Sequence, residues 1–537
     1  MRVTTPLGVA SSLVVQVASA AGSNPFTDDF SKVVNETLER WKVPGIAIAF
    51  VDGNETWAEG YGYATYPTTP ATNSTLFFGG STSKAFTAAA LSLLIDSGKY
   101  GSLGWTTPIS ELIRDDFVLE DSWITQHATL EDALSHRTGL GDHTMAASKH
   151  YEGRPGTLRD IVRSLRYLPL AAEPRTKFLY CNLMYMTLSY VVETLTSQRL
   201  GDVFKDWIWE PLGMTSTYLS VKDAEQSDKD LAHGYYYDEK TKTYKDVPWP
   251  DVELVSGAGG IISNVLDYSR WIQSLIGEQP PLSKAGHKAI KTPRMVSGEV
   301  DDVFLDVAQS YALGWLTSSY KGRRLWSHNG GIDGFGAEVI FFPDEGFGVV
   351  TLGNTASSSN AAGQILLWHL IDEKLGVAPA DRFDHNKRQA PPVPSMQWEQ
   401  SKQLVEGAFD AALDLAYPER PENPLPPTLP STALVGTYFH PAYQNLTLTL
   451  KDGSNSTQGS SVASLVASTE DSLIQTQWEF VHVSGDFWLV LLTSLAQPVK
   501  FASRFVRAEF FVGVNGSVEA LEIDWLEQGM VKFSKVA

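Results

Sequence analysis

The stretch that most limits what this chain can fold into is Phe78-Gly79-Gly80-Ser81-Thr82-Ser83-Lys84, followed by a small and apolar run from Ala85 to Ile95. Strong helix formers dominate the run, and Gly98 is placed to end it, so a helix is predicted. A helix apolar all round must be buried all round, in the middle of a large core. Ser81 falls at its first turn, with Lys84 three positions on. Residues i and i+3 share a helix face, so the amine can lie beside the hydroxyl. An alcohol is a weak nucleophile until an adjacent base takes its proton. Free N–H groups at a helix start also favour negative charge developing there. The same spacing recurs at Ser318-Ser319-Tyr320-Lys321, which runs into Gly322-Arg323-Arg324 and reads as a surface turn. Ser-x-x-Lys is a common pattern, and Ser81 alone fits a helix cap equally well. Chemistry at Ser81 therefore requires partners from elsewhere.

The 537 residues predict two or three domains. The balance of 42 Lys and Arg against 62 Asp and Glu, net −20, argues against nucleic acid or an anionic membrane surface as partner. One cysteine, Cys181, rules out an intrachain disulfide and a cysteine-based metal site. No metal-ligand spacing such as His-Glu-x-x-His occurs, so no metal and no cofactor is expected. Residues 1–21, with Arg2, the run Leu7–Val15 and an Ala-x-Ala signal at Ala20, read as an export signal. No apolar run long enough to span a membrane follows it. Sequons at Asn35, Asn54, Asn73, Asn445, Asn455 and Asn515 agree with a secreted glycoprotein.

Residues 30–38 carry apolar positions at helical spacing, and Ile46–Val51 reads as a buried strand with Trp57–Tyr63 as its hairpin mate. Residues 98–150 read as loops and short helices, and 157–168 and 182–197 as helices. Strands are expected at Tyr311–Trp315, Arg324–His328, Ala337–Phe342 and Gly348–Gly353, then a helix at Gly363–Leu375. Strands at both ends of a helical middle predict one antiparallel sheet closed by distant segments. Residues 27–385 thus form one domain and 386–431 a proline-rich linker with a helix near 397–416. From 432 to 537 the period changes to two, in strands near 443–450, 478–483, 487–491, 505–514 and 518–525. That predicts a small all-β barrel or meander.

Two stretches offer partners for Ser81. Tyr180-Cys181-Asn182 runs into a helix; a tyrosine held near Lys84 would have a lowered pKa and serve as base. His328-Asn329-Gly330-Gly331 opens a glycine-dense strand edge, where backbone approaches a ligand closely and a backbone N–H can complete an oxyanion hole.

With these three motifs in this order, the chain resembles the serine β-lactamase and penicillin-binding-protein superfamily, nearest its class C-like esterases and transesterases. Leu134–Leu140, Glu210–Met214, Ala258–Ser263 and Gly330–Phe335 are similar to the same family, over roughly residues 27–380. Residues 432–537 resemble the lipocalin-like extensions of some relatives. The resemblance implies an antiparallel sheet flanked by helices, an all-helical subdomain and a C-terminal barrel. It implies a serine hydrolase acting on a small-molecule ester or amide, with Ser81 acylated and Lys84 and Tyr180 sharing the proton work. Asn182 would orient substrate and Lys84, with His328, Gly330 and Gly331 lining the substrate and oxyanion site. An acyltransferase or transesterase acting on a natural product, a β-lactamase or D-amino peptidase, and a silent binding protein stay open as alternatives. His328 stands where many β-lactamases carry lysine, Asn329 where a small hydroxyl residue is usual, and Cys181 where serine is common. These departures bear on which substrate is taken.

Overall fold

The computed structural model describes residues 23–298, 304–386, 410, 412–451, 462–497 and 505–536. The stretch 1–21 read as an export signal, the sequon at Asn455 and most of the expected linker lie outside the described residues.

Thr27 caps a helix, Asp28–Trp41, whose Phe30, Val34 and Leu38 point one way. The next strand, Gly45–Asp52, lies inside a nine-stranded antiparallel sheet, third from one edge. In order, the sheet runs Met295–Val296, Ser310–Tyr311, Leu316–Tyr320, Arg323–Ile332, Phe335–Phe342, Phe347–Gly353, Gly45–Asp52, Glu55–Thr65 and Thr69–Pro70. Ile46 lies opposite Gly353, so residues 307 positions apart close the sheet, as the strand pattern predicted. Ile46, Ile48 and Phe50 enter one core, with Phe30, Val34 and helix Ser358–Leu375. Ala47, Ala49 and Val51 enter the other, with the helical layer. A strand buried on both faces loses its alternation, which is why Ile46–Val51 reads as a plain apolar run.

The second core holds the helix that follows Ser81, Ser83–Asp96, with eleven of its fourteen residues buried. Phe86 stacks on Trp271 of helix Val265–Gly277 at 4.7 Å, and Thr87 Oγ1 donates to Gly257 O at 2.8 Å. Helix Asn182–Thr196 packs beside it, nine of its residues buried.

Several boundaries differ from expectation. The strand expected at Tyr311–Trp315 is interrupted: Gly314 sits at φ +78° and turns the chain, and pairing resumes at Leu316. Ser318 therefore lies in a strand and is buried, and only Lys321-Gly322 is the surface turn. The helix expected from Gly363 begins at Ser358. The hairpin Gly234–Val247 and the helix Lys284–Lys291 were not among the expected elements.

The C-terminal residues form a closed eight-stranded barrel, Gly436–His440, Gln444–Leu450, Leu465–Ser468, Thr476–Ser484, Phe487–Ser494, Phe505–Val512, Val518–Asp524 and Met530–Lys535. The first strand pairs with the last, Tyr438 opposite Lys535. Five of these strands carry the period-two pattern; the three shorter ones pair because closure satisfies their edges. Tyr438, Trp478, Phe480, Trp488, Phe510 and Phe533 fill the interior, which is a packed core.

Candidate active site

Ser81 sits between strand Phe77–Gly80 and helix Ser83–Asp96, one residue before the N-cap, Thr82. The turn is pinned on both sides. Thr82 Oγ1 donates to Gly79 O at 2.8 Å, and Ser83 Oγ to Gly80 O at 2.7 Å. Gly80 holds φ +52°, and a Cβ there would stand 2.8 Å from Gly331 N. A Cβ on Gly330 would stand 1.9 Å from Gly79 O. The two strands meet backbone to backbone, and only glycine permits that. This brings the Gly331 N–H against the Ser81 turn, half-buried Ser81 included.

Lys84 is fully buried. Its Nζ lies 3.0 Å from Ser81 Oγ, 2.7 Å from Asn182 Oδ1 and 2.6 Å from Ala258 O. Asn182 Oδ1 and the Ala258 carbonyl can only accept. A neutral amine gives its two N–H groups to them and turns its lone pair to the Ser81 hydroxyl; an ammonium donates to all three. Burial lowers the Lys84 pKa to about 7, with the Asp142 carboxylate opposing. Burial therefore destabilises the Lys84 ammonium and brings the neutral amine within reach near neutral pH.

Tyr180 is hydrogen-bonded to Ser81, and the Lys84 ammonium lies 4.7 Å from the centre of its ring. The expectation of a lowered tyrosine pKa is corrected. Burial pushes the phenol well above its usual value, outweighing the Ser81 bond. Tyr180 is a neutral phenol, so the base in this pair is Lys84.

His328 is buried, with Nδ1–H donating to Asn329 O at 2.6 Å and Nε2 accepting from the Tyr311 hydroxyl at 2.8 Å. Burial, then Lys84, lowers its pKa to about 3. Both nitrogens are engaged within the protein, and the ring is a neutral wall. Asn360 Nδ2 donates to Gly330 O at 3.0 Å and holds the glycine strand from behind. The structure thus brings Ser81, Lys84, Tyr180, Asn182, His328, Gly330 and Gly331 into one place.

Other neighbours escaped the sequence reading. His136 accepts the Cys181 N–H at Nδ1 (2.9 Å), and its ring packs 4.2 Å from Tyr180 and 4.7 Å from Tyr311. It lies inside the Leu134–Leu140 segment, a signal that was visible but not resolved to one residue. Thr144 accepts from Asn182 Nδ2 at 3.2 Å, Thr144 donates to Asp142, and Asp142 N–H donates to Gln528 Oε1 at 2.8 Å. Nothing in the sequence joins Gln528 to this site. Asn35, Asn54, Asn445 and Asn515 are exposed, and Asn73 is half-buried with its amide donating to Ala58 O.

Residues 30–372 match the Beta-lactamase family, and residues 420–534 match a domain of unknown function, DUF3471. The chain belongs to the Beta-lactamase family, as a serine hydrolase. It is 45% identical to "Unguisins hydrolase ungD'" of Aspergillus campestris, over 94% of this chain and 90% of that one. It is 39% identical to "Unguisins hydrolase ungD" of Aspergillus violaceofuscus, over 94% and 88%. The fold matches the octameric penicillin-binding protein homologue from Pyrococcus abyssi at TM-score 0.57 and 19% identity, over 94% of this chain and 99% of that one. The resemblance read from the three motifs is borne out at the level of family and fold.

Proposed function

We propose that Ser81 is the acylated nucleophile of a hydrolase that cleaves an amide or ester bond in an unguisin-type compound. The observation that carries the mechanism is the Lys84 amine, buried, titrating near neutrality and 3.0 Å from Ser81 Oγ. Neutral Lys84 takes the Ser81 proton as Oγ attacks the carbonyl carbon. The Ser81 and Gly331 N–H groups stabilise the oxyanion. The C–N or C–O bond breaks, the leaving atom takes a proton from Tyr180, and the Lys84 ammonium restores that proton. Water then attacks the acyl-Ser81 carbonyl, with Lys84 again the base, and releases the acid. With an alcohol or amine in place of water, the same intermediate gives acyl transfer.

The substrate class is supported by the two relatives named unguisins hydrolases, which align over barrel and catalytic domain alike. A β-lactam is a poorer fit, because the neutral, fully engaged His328 offers no cation to a substrate carboxylate. Incubation with unguisins followed by mass spectrometry should show a product, or products, whose total mass is that of the substrate plus one water, with wild type and not with Ser81→Ala. An unchanged mass with wild type excludes the substrate. Transfer products without the hydrolysed acid would replace hydrolysis by acyl transfer.

We also propose that the chain is an exported glycoprotein, on the export-type N-terminal sequence and the exposed sequon asparagines. Peptide-N-glycosidase treatment of protein from a eukaryotic host should lower its mass; no change rejects the glycan reading.

A further inference from the structure

The barrel touches the catalytic domain at one segment in particular, Gly141–His150. Ser472 Oγ donates to Met145 O at 2.9 Å, Leu473 N to Ala147 O at 2.9 Å, and Lys149 N to Asp471 O at 2.6 Å. Met145 packs against the barrel core. At the other end of the segment, the barrel turn following Asp524 reaches closer to the chemistry. His143 is fully buried there, its Nε2–H donating to Gln528 O at 3.0 Å and its Nδ1 accepting from the Tyr443 hydroxyl at 2.8 Å. Gln528 Oε1 takes the Asp142 N–H and lies against bare backbone: a Cβ on Gly141 would stand 2.2 Å from it.

We propose that Gln528 is a positioning residue of the active site, which sets the orientation of the Asn182 amide through Asp142 and Thr144. This rests on Lys84 serving Ser81 as base. The two ends of a side-chain amide have the same shape and opposite hydrogen-bonding character. Asn182 must present its oxygen to Lys84, since its nitrogen would set N–H donors against an amine that needs an acceptor. What decides between the two orientations is the far end of the amide. Asn182 Nδ2 donates to Thr144 Oγ1, and that oxygen is free to accept because its own proton is committed to Asp142 Oδ1. Asp142 Oδ1 also accepts the Thr144 N–H at 3.2 Å, which folds the turn on itself. The Asp142 side chain is exposed, and the bond from its N–H to Gln528 ties that turn to the barrel. Orientation therefore passes from Gln528 to Asp142, to Thr144, to Asn182 and to Lys84, over contacts that are all direct. The barrel is part of the catalytic apparatus, in addition to being packed against it.

A merely adhesive Gln528 would affect melting and leave the site alone, so the test separates the two. In the full chain, Gln528→Met keeps length and removes the acceptor, and Gly141→Ala presses on the same oxygen from the catalytic side. Each should slow acylation of Ser81 by a fluorophosphonate about three- to tenfold, and Gln528→Glu, which keeps the acceptor, should restore most of the rate. In an Asn182→Ala background Gln528→Met should cost nothing further, because residues acting through one another are not additive. Hydrogen exchange supplies a readout independent of turnover: Gln528→Met should raise exchange in peptides covering 141–147 and 181–186. An equal cost in the Asn182→Ala background, or unchanged exchange at 181–186, overturns the proposal. If wild type is not labelled at Ser81, the nucleophile assignment falls, and the exchange result still decides the coupling.

Discussion

Ser81 and Lys84 are three residues apart, and so are Ser318 and Lys321, yet the two pairs have opposite fates. Lys84 is in the first turn of a helix and Ser81 just before its N-cap; the Lys84 N–H donates to Ser81 O at 3.1 Å, and across that turn the amine meets the Ser81 hydroxyl at 3.0 Å. Ser318 is in a strand and gives its hydroxyl to Val307 O at 2.7 Å. Lys321, at φ +49°, turns out of the strand and reaches Asp381 O at 3.4 Å from an exposed position. The same letters at the same spacing become a buried acid–base pair or an ordinary strand end, according to which backbone carries them. Burial then completes the difference. Lys84 loses its hydration and titrates near 7, while Lys321 keeps its water.

The comparison breaks most sharply at the serines. Ser81→Ala should reduce ester turnover by about 10⁴-fold or more, while Ser318→Ala stays within about twofold, as a variant remote from the chemistry should. Comparable losses in steady-state assays of the two would remove the distinction. At the lysines, Lys84→Met should cost about 10²- to 10⁴-fold in kcat, and Lys321→Met should be silent in the same assay.

A pH profile sharpens the contrast further. In the proposed mechanism Lys84 works as the neutral amine, so kcat/KM should fall as pH drops through about 7 and level off above it. His328, with a pKa of about 3, adds no limb in that range. Asp142 raises the Lys84 pKa, so Asp142→Asn should move the limb to lower pH. A limb that stays in place, or moves up, contradicts Lys84 as the group observed. The smallest effect belongs to stability: Ser318→Ala should lower it by about 0.5–1.5 kcal/mol, the worth of one hydrogen bond, in a denaturant melt.

Much of the site was legible because its parts are local. Gly79-Gly80-Ser81 and the apolar run after Lys84 specify a turn and a buried helix within twenty residues. Tyr180 and Asn182 flank a helix start, and His328–Gly331 end a strand, so each motif announces its own backbone. The sheet was legible in outline, since Ile46–Val51 and Gly348–Gly353 both read as buried strands. That distant strands close one sheet was expected; that Gly45–Asp52 pairs with Phe347–Gly353 was decided by the structure. The barrel was half legible: Trp478–Val483 alternates clearly, whereas Leu465–Ser468 is too short to show a period. The tyrosine pKa was misjudged because proximity to a charge can be inferred from a motif and desolvation cannot.

The sequence by itself determined the class of core, the three motifs around Ser81, and the change of architecture after the prolines. Those depend on periodicity and on residues a few positions apart. Only the tertiary structure decided that Lys84 rather than Tyr180 holds the titratable proton, that His328 faces Tyr311, and that Gln528 reaches Asp142. Each of those is set by groups far apart in the chain and by the loss of water around them. Desolvation belongs to the assembled site, so no segment carries it alone.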